Sequence, residues 1–121
     1  MTLRVFHYKN CTTCKRALAL LDKLKVDYEP IDIVTAPPTQ KELKGVLTRT
    51  GLPLKKLFNT SGQSYRAGNW GERLAEVSEG DALRALAADG KLIKRPVVLG
   101  EDFALVGFDE AAYRSRFGKT R

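Results

Sequence analysis

The chain has 121 residues, room for one domain with a continuous core and little more. Its residues are 43% hydrophobic and 29% charged, without low-complexity tracts or any apolar run near the length of a membrane span, so a soluble globular protein is expected. The net charge of +7 is spread along the chain and mixed with acids, with no basic arm and no interleaved aromatics, which argues against direct nucleic-acid binding and suits small anionic substrates.

In chain order, "LRVFHY" (3–8) is short, β-branched and aromatic, and reads as a first strand. Cys14, Ala17, Leu18, Leu21 and Leu24 then recur at helical spacing and form one apolar face. Asn10 or a near neighbour is expected to cap that helix, and Lys23 and Lys25 sit where its dipole favours cations. "YEPIDIV" (28–34) reads as a second strand, which completes a parallel βαβ unit. Thr39 and Glu42 predict a capping box, with Leu43, Val46 and Leu47 facing inward and Gly51 and Pro53 stopping the helix. "NTSGQSYRAGNWG" (59–71) is polar and turn-rich. Ser78 opens another helix that buries Ala82, Leu83, Leu86 and Ala87, with Gly90 as its stop. "RPVVLG" and "FALVG" suit a hairpin around Gly100, Glu101 and Asp102. A last helix begins at Asp109, with Phe108 and Tyr113 placed as a hydrophobic staple.

The two cysteines, in Cys11-Thr12-Thr13-Cys14, stand where the first strand gives way to a helix. A structural zinc site needs four ligands, whereas the chain offers these two cysteines and one histidine, His7, so no metal is expected. Both cysteines could be core residues; that suits Cys14, on the Leu18–Leu21 face, and suits Cys11 poorly. At the helix start, unpaired N–H groups and the dipole favour an attacking thiolate at Cys11, and Cys14 one turn later can resolve a mixed disulfide. The N-terminus "MTLRVFHYKN" lacks the pattern of an exported precursor, so a reducing cytoplasm is expected, where a Cys-x-x-Cys is catalytic or metal-binding more often than structural.

"KRPVV" (94–98) adds a proline at a strand start, a position open to the cis form, with Arg95 before it as a fixed positive charge. Taken with "FNTSGQSYR" and "VGFDE", these motifs occur in an order and spacing that resemble the glutaredoxin-like arsenate reductase (ArsC) family. The likeness runs from Leu3 to about Phe117 and is nearest the Spx and YffB-type branch, which carries the second cysteine. It implies a single α/β domain over residues 1–121: a thioredoxin-like mixed sheet, βαβ then ββα, with a helical insertion at about 35–92.

The same resemblance makes Cys11 the nucleophile and Arg95 its charged partner, with Cys14 resolving and Pro96 shaping the substrate groove. His7 falls on the histidine that tunes the thiolate. Two positions that hold oxyanion-binding arginines in arsenate reductases read Asn59 and Phe108 here. Losing two charge-assisted donors costs about 1.5–3 kcal/mol each, so efficient arsenate reduction is not expected. The implied activity is thiol–disulfide chemistry with glutathione as co-substrate and no bound cofactor. The competing implication is an Spx-type redox-switched regulator that binds the C-terminal domain of the RNA polymerase alpha subunit, although the surface near "TGLPLKK" matches that role loosely.

Overall fold

Strand β1 (Leu3–His7) alternates its side chains between two layers of helix. Leu3 and Val5 join Ala17, Leu20, Leu21, Val98 and Tyr113 in one apolar cluster, and Phe6 joins Ile33, Leu43, Phe58, Trp70 and Leu86 in the other. The molecule, a computed structural model, is described over residues 3–118. Helix α1 (Thr12–Lys23) connects β1 to β2 (Tyr28–Asp32), and the two strands pair in parallel, with Val5 opposite Pro30. Strand β3 (Val97–Leu99) pairs antiparallel with the other side of β1, and β4 (Ala104–Val106) pairs antiparallel with β3. The sheet order is therefore β2-β1-β3-β4, the expected mixed α/β arrangement.

Strand β2 is two residues shorter than its apolar run suggests. The Asp32 carboxylate accepts the N–H of Val34 at 2.8 Å and turns the chain away. Between β2 and β3 lie α2 (Gln40–Thr50), α3 (Gln63–Ala67), α4 (Trp70–Arg73) and α5 (Glu79–Ala88). The Thr39–Glu42 capping box forms in both directions, and Gly51 ends α2 at φ 70°. The polar segment 59–71 is not simply turns. It folds as two short helices whose Tyr65 and Trp70 pack on Phe58, with ring centroids 6.2 and 5.2 Å away.

Gly90 is not the residue that stops α5, which ends at Ala88 with Asp89 as its C-cap. Gly90 is buried against backbone, and a Cβ there would lie 1.8 Å from the Ile33 carbonyl oxygen. Helix α6 (Glu110–Phe117) starts as expected, with Asp109 accepting from the N–H groups of Ala111 and Ala112. Phe108 meets Tyr113 edge-on at 5.0 Å. Tyr113 also donates its hydroxyl to the Gly107 carbonyl at 2.9 Å, which ties α6 to the end of β4. Among the described residues no helix is long and apolar enough to cross a membrane.

Candidate functional site

The β1–α1 junction holds Cys11, and its side chain, not that of Asn10, caps α1. Its backbone is extended (φ −106°, ψ 110°), and its Sγ accepts the Cys14 N–H at 3.2 Å. Sulfur here takes the place of the usual Ser or Asp oxygen, so one of the helix's unpaired N–H donors points at a potential nucleophile. Cys11 is half-buried, Cys14 is 1% exposed, and both are free thiols.

Burial pushes the Cys14 thiol up to about 12, helped by a hydrogen bond and negative charge from Cys11, while the Arg95 charge opposes the rise. Cys14 is therefore a protonated thiol at neutral pH. Tyr113 is raised by burial and by the nearby Cys14, and Tyr28 is raised to about 12 by burial and its bond to Asp22. All three groups hold their protons longer in the folded chain than in the unfolded one. The stability these groups contribute is fully present well below pH 9, the midpoint of the unfolded thiol, and declines as pH climbs through 9 toward 12. Urea midpoints measured from pH 7 to 11 should fall above pH 9, and the fall should be shallower in Tyr113→Phe. An identical slope in that variant would contradict the assignment.

A cavity of about 410 Å³ opens beside Cys11. Cys11 and Thr13 line it from the start of α1, and Asn59 and Ser61 from the loop before α3. Lys94 and Arg95 enter from the approach to β3, and Val106 to Asp109 from the end of β4. The Arg95–Pro96 bond is cis, and the Pro96 carbonyl accepts the Gly107 N–H at 2.8 Å. Arg95 is steadied by a 3.2 Å donation to the Lys91 carbonyl and by the Tyr8 ring, 4.9 Å from its guanidinium carbon.

Of the residues singled out in the sequence, Cys11, Arg95, Asn59 and Phe108 meet in this cavity. Cys14 lies buried behind Cys11. Pro96 is buried and outside the lining, and His7 is half-buried at the end of β1, also outside it. Lys94, Thr13 and Ser61 were not picked out from the sequence; for Lys94 the signal was its place beside the Arg-Pro pair. Arg16 also stands near, its guanidinium carbon 5.3 Å from the Phe108 ring. A second cavity of about 410 Å³, bounded by Arg4, Glu42, Arg49 and Gly100 among others, contains no cysteine, serine or histidine. Among the described residues no group of three or more His, Cys, Asp or Glu is placed to hold a metal ion.

The ArsC family model matches residues 6–116. The uncharacterized protein YusI of Bacillus subtilis is 39% identical over 97% of this chain and 99% of its own length. The global transcriptional regulator Spx of Streptococcus pneumoniae is 28% identical over 93% of this chain and 84% of its own. A crystal structure described as a possible arsenate reductase from Streptococcus mutans superposes with a TM-score of 0.89 at 43% identity, covering 96% of this chain and 98% of that one. With a match across nearly its whole length and the same thioredoxin-like fold as these structures, the chain belongs to the ArsC family.

Proposed function

We propose that this protein is a thiol–disulfide oxidoreductase of the cytoplasm, with glutathione as its co-substrate. One observation carries the reading: Cys11 caps α1, accepts the Cys14 N–H, and faces a cavity lined by two cations, with a second thiol buried behind it. The Cys11 thiolate attacks one sulfur of a disulfide. That S–S bond breaks, a Cys11–S bond forms, and the departing thiolate takes a proton from solvent. Capping Cys11 in this way removes its hydrogen bond and charge from Cys14, two of the influences that hold the Cys14 proton. Cys14 can then lose that proton, attack Cys11 and expel the second thiol, leaving an internal disulfide. Two glutathione molecules return the pair to thiols and leave as glutathione disulfide.

Arsenate is expected to be a poor substrate. Asn59 and Phe108 line the cavity where arginines would hold an oxyanion, and Arg95 is the arginine that remains in the lining. The test supplies glutathione, glutathione reductase and NADPH, then offers arsenate, a mixed disulfide and a small disulfide in parallel. The disulfides should turn over, and arsenate should gain only when Asn59→Arg and Phe108→Arg are combined. Efficient arsenate turnover by the wild-type chain would refute this reading of the two positions.

A redox-switched regulator is the second reading, favoured by the relatives named as global transcriptional regulators at 26–28% identity. It uses the same cysteine pair and requires a complex with the RNA polymerase alpha subunit. Co-purification with RNA polymerase, dependent on the oxidation state of the pair, would support it over the enzyme.

A further inference from the structure

Among the described residues, Lys94 is the cation of this site whose side chain has no polar partner. Its backbone is fixed, since its N–H donates to the Leu57 carbonyl at 2.8 Å. Its side chain runs over Gly107: a Cβ built on that glycine would stand 2.8 Å from Lys94 Cε and 3.9 Å from Nζ. Gly107 is itself at φ +78°, a conformation that leaves the position to glycine, so the floor beneath the lysine stem stays flat. Among the described residues the four ion pairs leave Lys94 out.

The other charges around the cavity are already engaged. Asp109, its one acid, accepts the N–H groups of Ala111 and Ala112 at 3.0 and 3.4 Å, and so serves α6. Arg95 donates to the Lys91 carbonyl and lies on Tyr8. Two cations against one acid leave the cavity positive, and the start of α1 adds its own positive end. At about 410 Å³ the space suits a small molecule, with Cys11 on one wall and the Lys94 ammonium over Gly107 on another.

We propose that Lys94 is a specificity-determining residue that anchors a substrate carboxylate, so that the site selects anionic disulfides over neutral or cationic ones. This rests on the thiol–disulfide reading of Cys11. Lys94 takes no part in bond making. The substrate S–S bond breaks at Cys11, and the lysine holds the carboxylate of the half that becomes attached. An ammonium on a flexible stem is a point charge, so arginine can stand in for it, whereas glutamate repels the same carboxylate.

The test measures the rate at which the full chain consumes its Cys11 thiol, followed by intact mass. Three disulfides serve as probes: glutathione disulfide (anionic), bis(2-hydroxyethyl) disulfide (neutral) and cystamine (cationic). In Lys94→Glu the ratio of the glutathione disulfide rate to the neutral rate should fall about tenfold, and the cystamine ratio should rise. In Lys94→Arg both ratios should stay within about threefold of wild type. Circular dichroism of each variant separates a folding defect from a change in selectivity, and Lys94→Gln, which keeps the stem, gives an intermediate ratio if charge is the cause. Ratios indifferent to the charge at position 94 would overturn the carboxylate anchor alone. A wild-type chain that reacts with none of the three disulfides would overturn the thiol–disulfide reading, and the anchor with it.

Discussion

Gly90→Ala is expected to cost more than about 3 kcal/mol, because it forces a methyl group into backbone that cannot give way. The new Cβ would lie 1.8 Å from the Ile33 carbonyl oxygen, 2.6 Å from its carbon and 3.2 Å from the Val34 Cα. The Ile33 N–H is held by the His7 carbonyl at 2.8 Å, so the β2 end cannot retreat without losing its bond to β1. Folded domains hold about 5–15 kcal/mol in total, so one methyl group takes a large share. Gly45→Ala is the control. Gly45 lies within α2 with nothing within 4 Å of its Cβ position, and alanine there should stabilise the chain by about 0.5–1 kcal/mol. Thermal melting of the two variants should move in opposite directions. A Gly90→Ala chain that melts with the wild type would contradict the close approach of residue 90 to Ile33.

Cys11→Ser is expected to reduce disulfide turnover to the background rate without unfolding the protein. A serine hydroxyl is a weak nucleophile at neutral pH and forms no disulfide, so the first bond cannot form. It is nonetheless a preferred N-cap and can accept the Cys14 N–H that Sγ now accepts, so α1 keeps its start. The loss of activity then belongs to the chemistry of sulfur and not to the fold. The assay is glutathione-coupled turnover alongside urea unfolding. Activity within tenfold of wild type, at unchanged stability, would remove Cys11 as the nucleophile.

Elements with strong local signals were legible in the sequence. The Thr39–Glu42 box, the Gly51 stop, the Asp109 cap and the Phe108–Tyr113 staple all rest on contacts within one turn of helix. What was not legible depends on distant partners. Helices α3 and α4 are five and four residues long, too short for a helical period to show, and their place is decided by Tyr65 and Trp70 stacking on Phe58. Gly90 carries the usual mark of a helix end, but only the approach of Ile33 explains it. In the site, Cys11 and Arg95 stood out through their motifs, and the fold brings Asn59 and Phe108 to the same cavity. For Lys94 the sequence offers only its place beside the Arg-Pro pair, and one more lysine in a chain of net charge +7 is hard to single out until Gly107 is seen beneath it.

Intact mass after a short incubation with glutathione disulfide shows whether Cys11 attacks and Cys14 resolves. Cys14→Ser removes the resolving thiol, so this variant should gain one glutathione, and peptide mapping should place it on Cys11. Cys11→Ser should gain little, because Cys14 is 1% exposed and its burial keeps the proton on sulfur. The wild-type chain should pass on to the internal disulfide, two hydrogens lighter than the dithiol. A wild-type chain that keeps both thiols, or a Cys14→Ser variant without the adduct, would contradict the account.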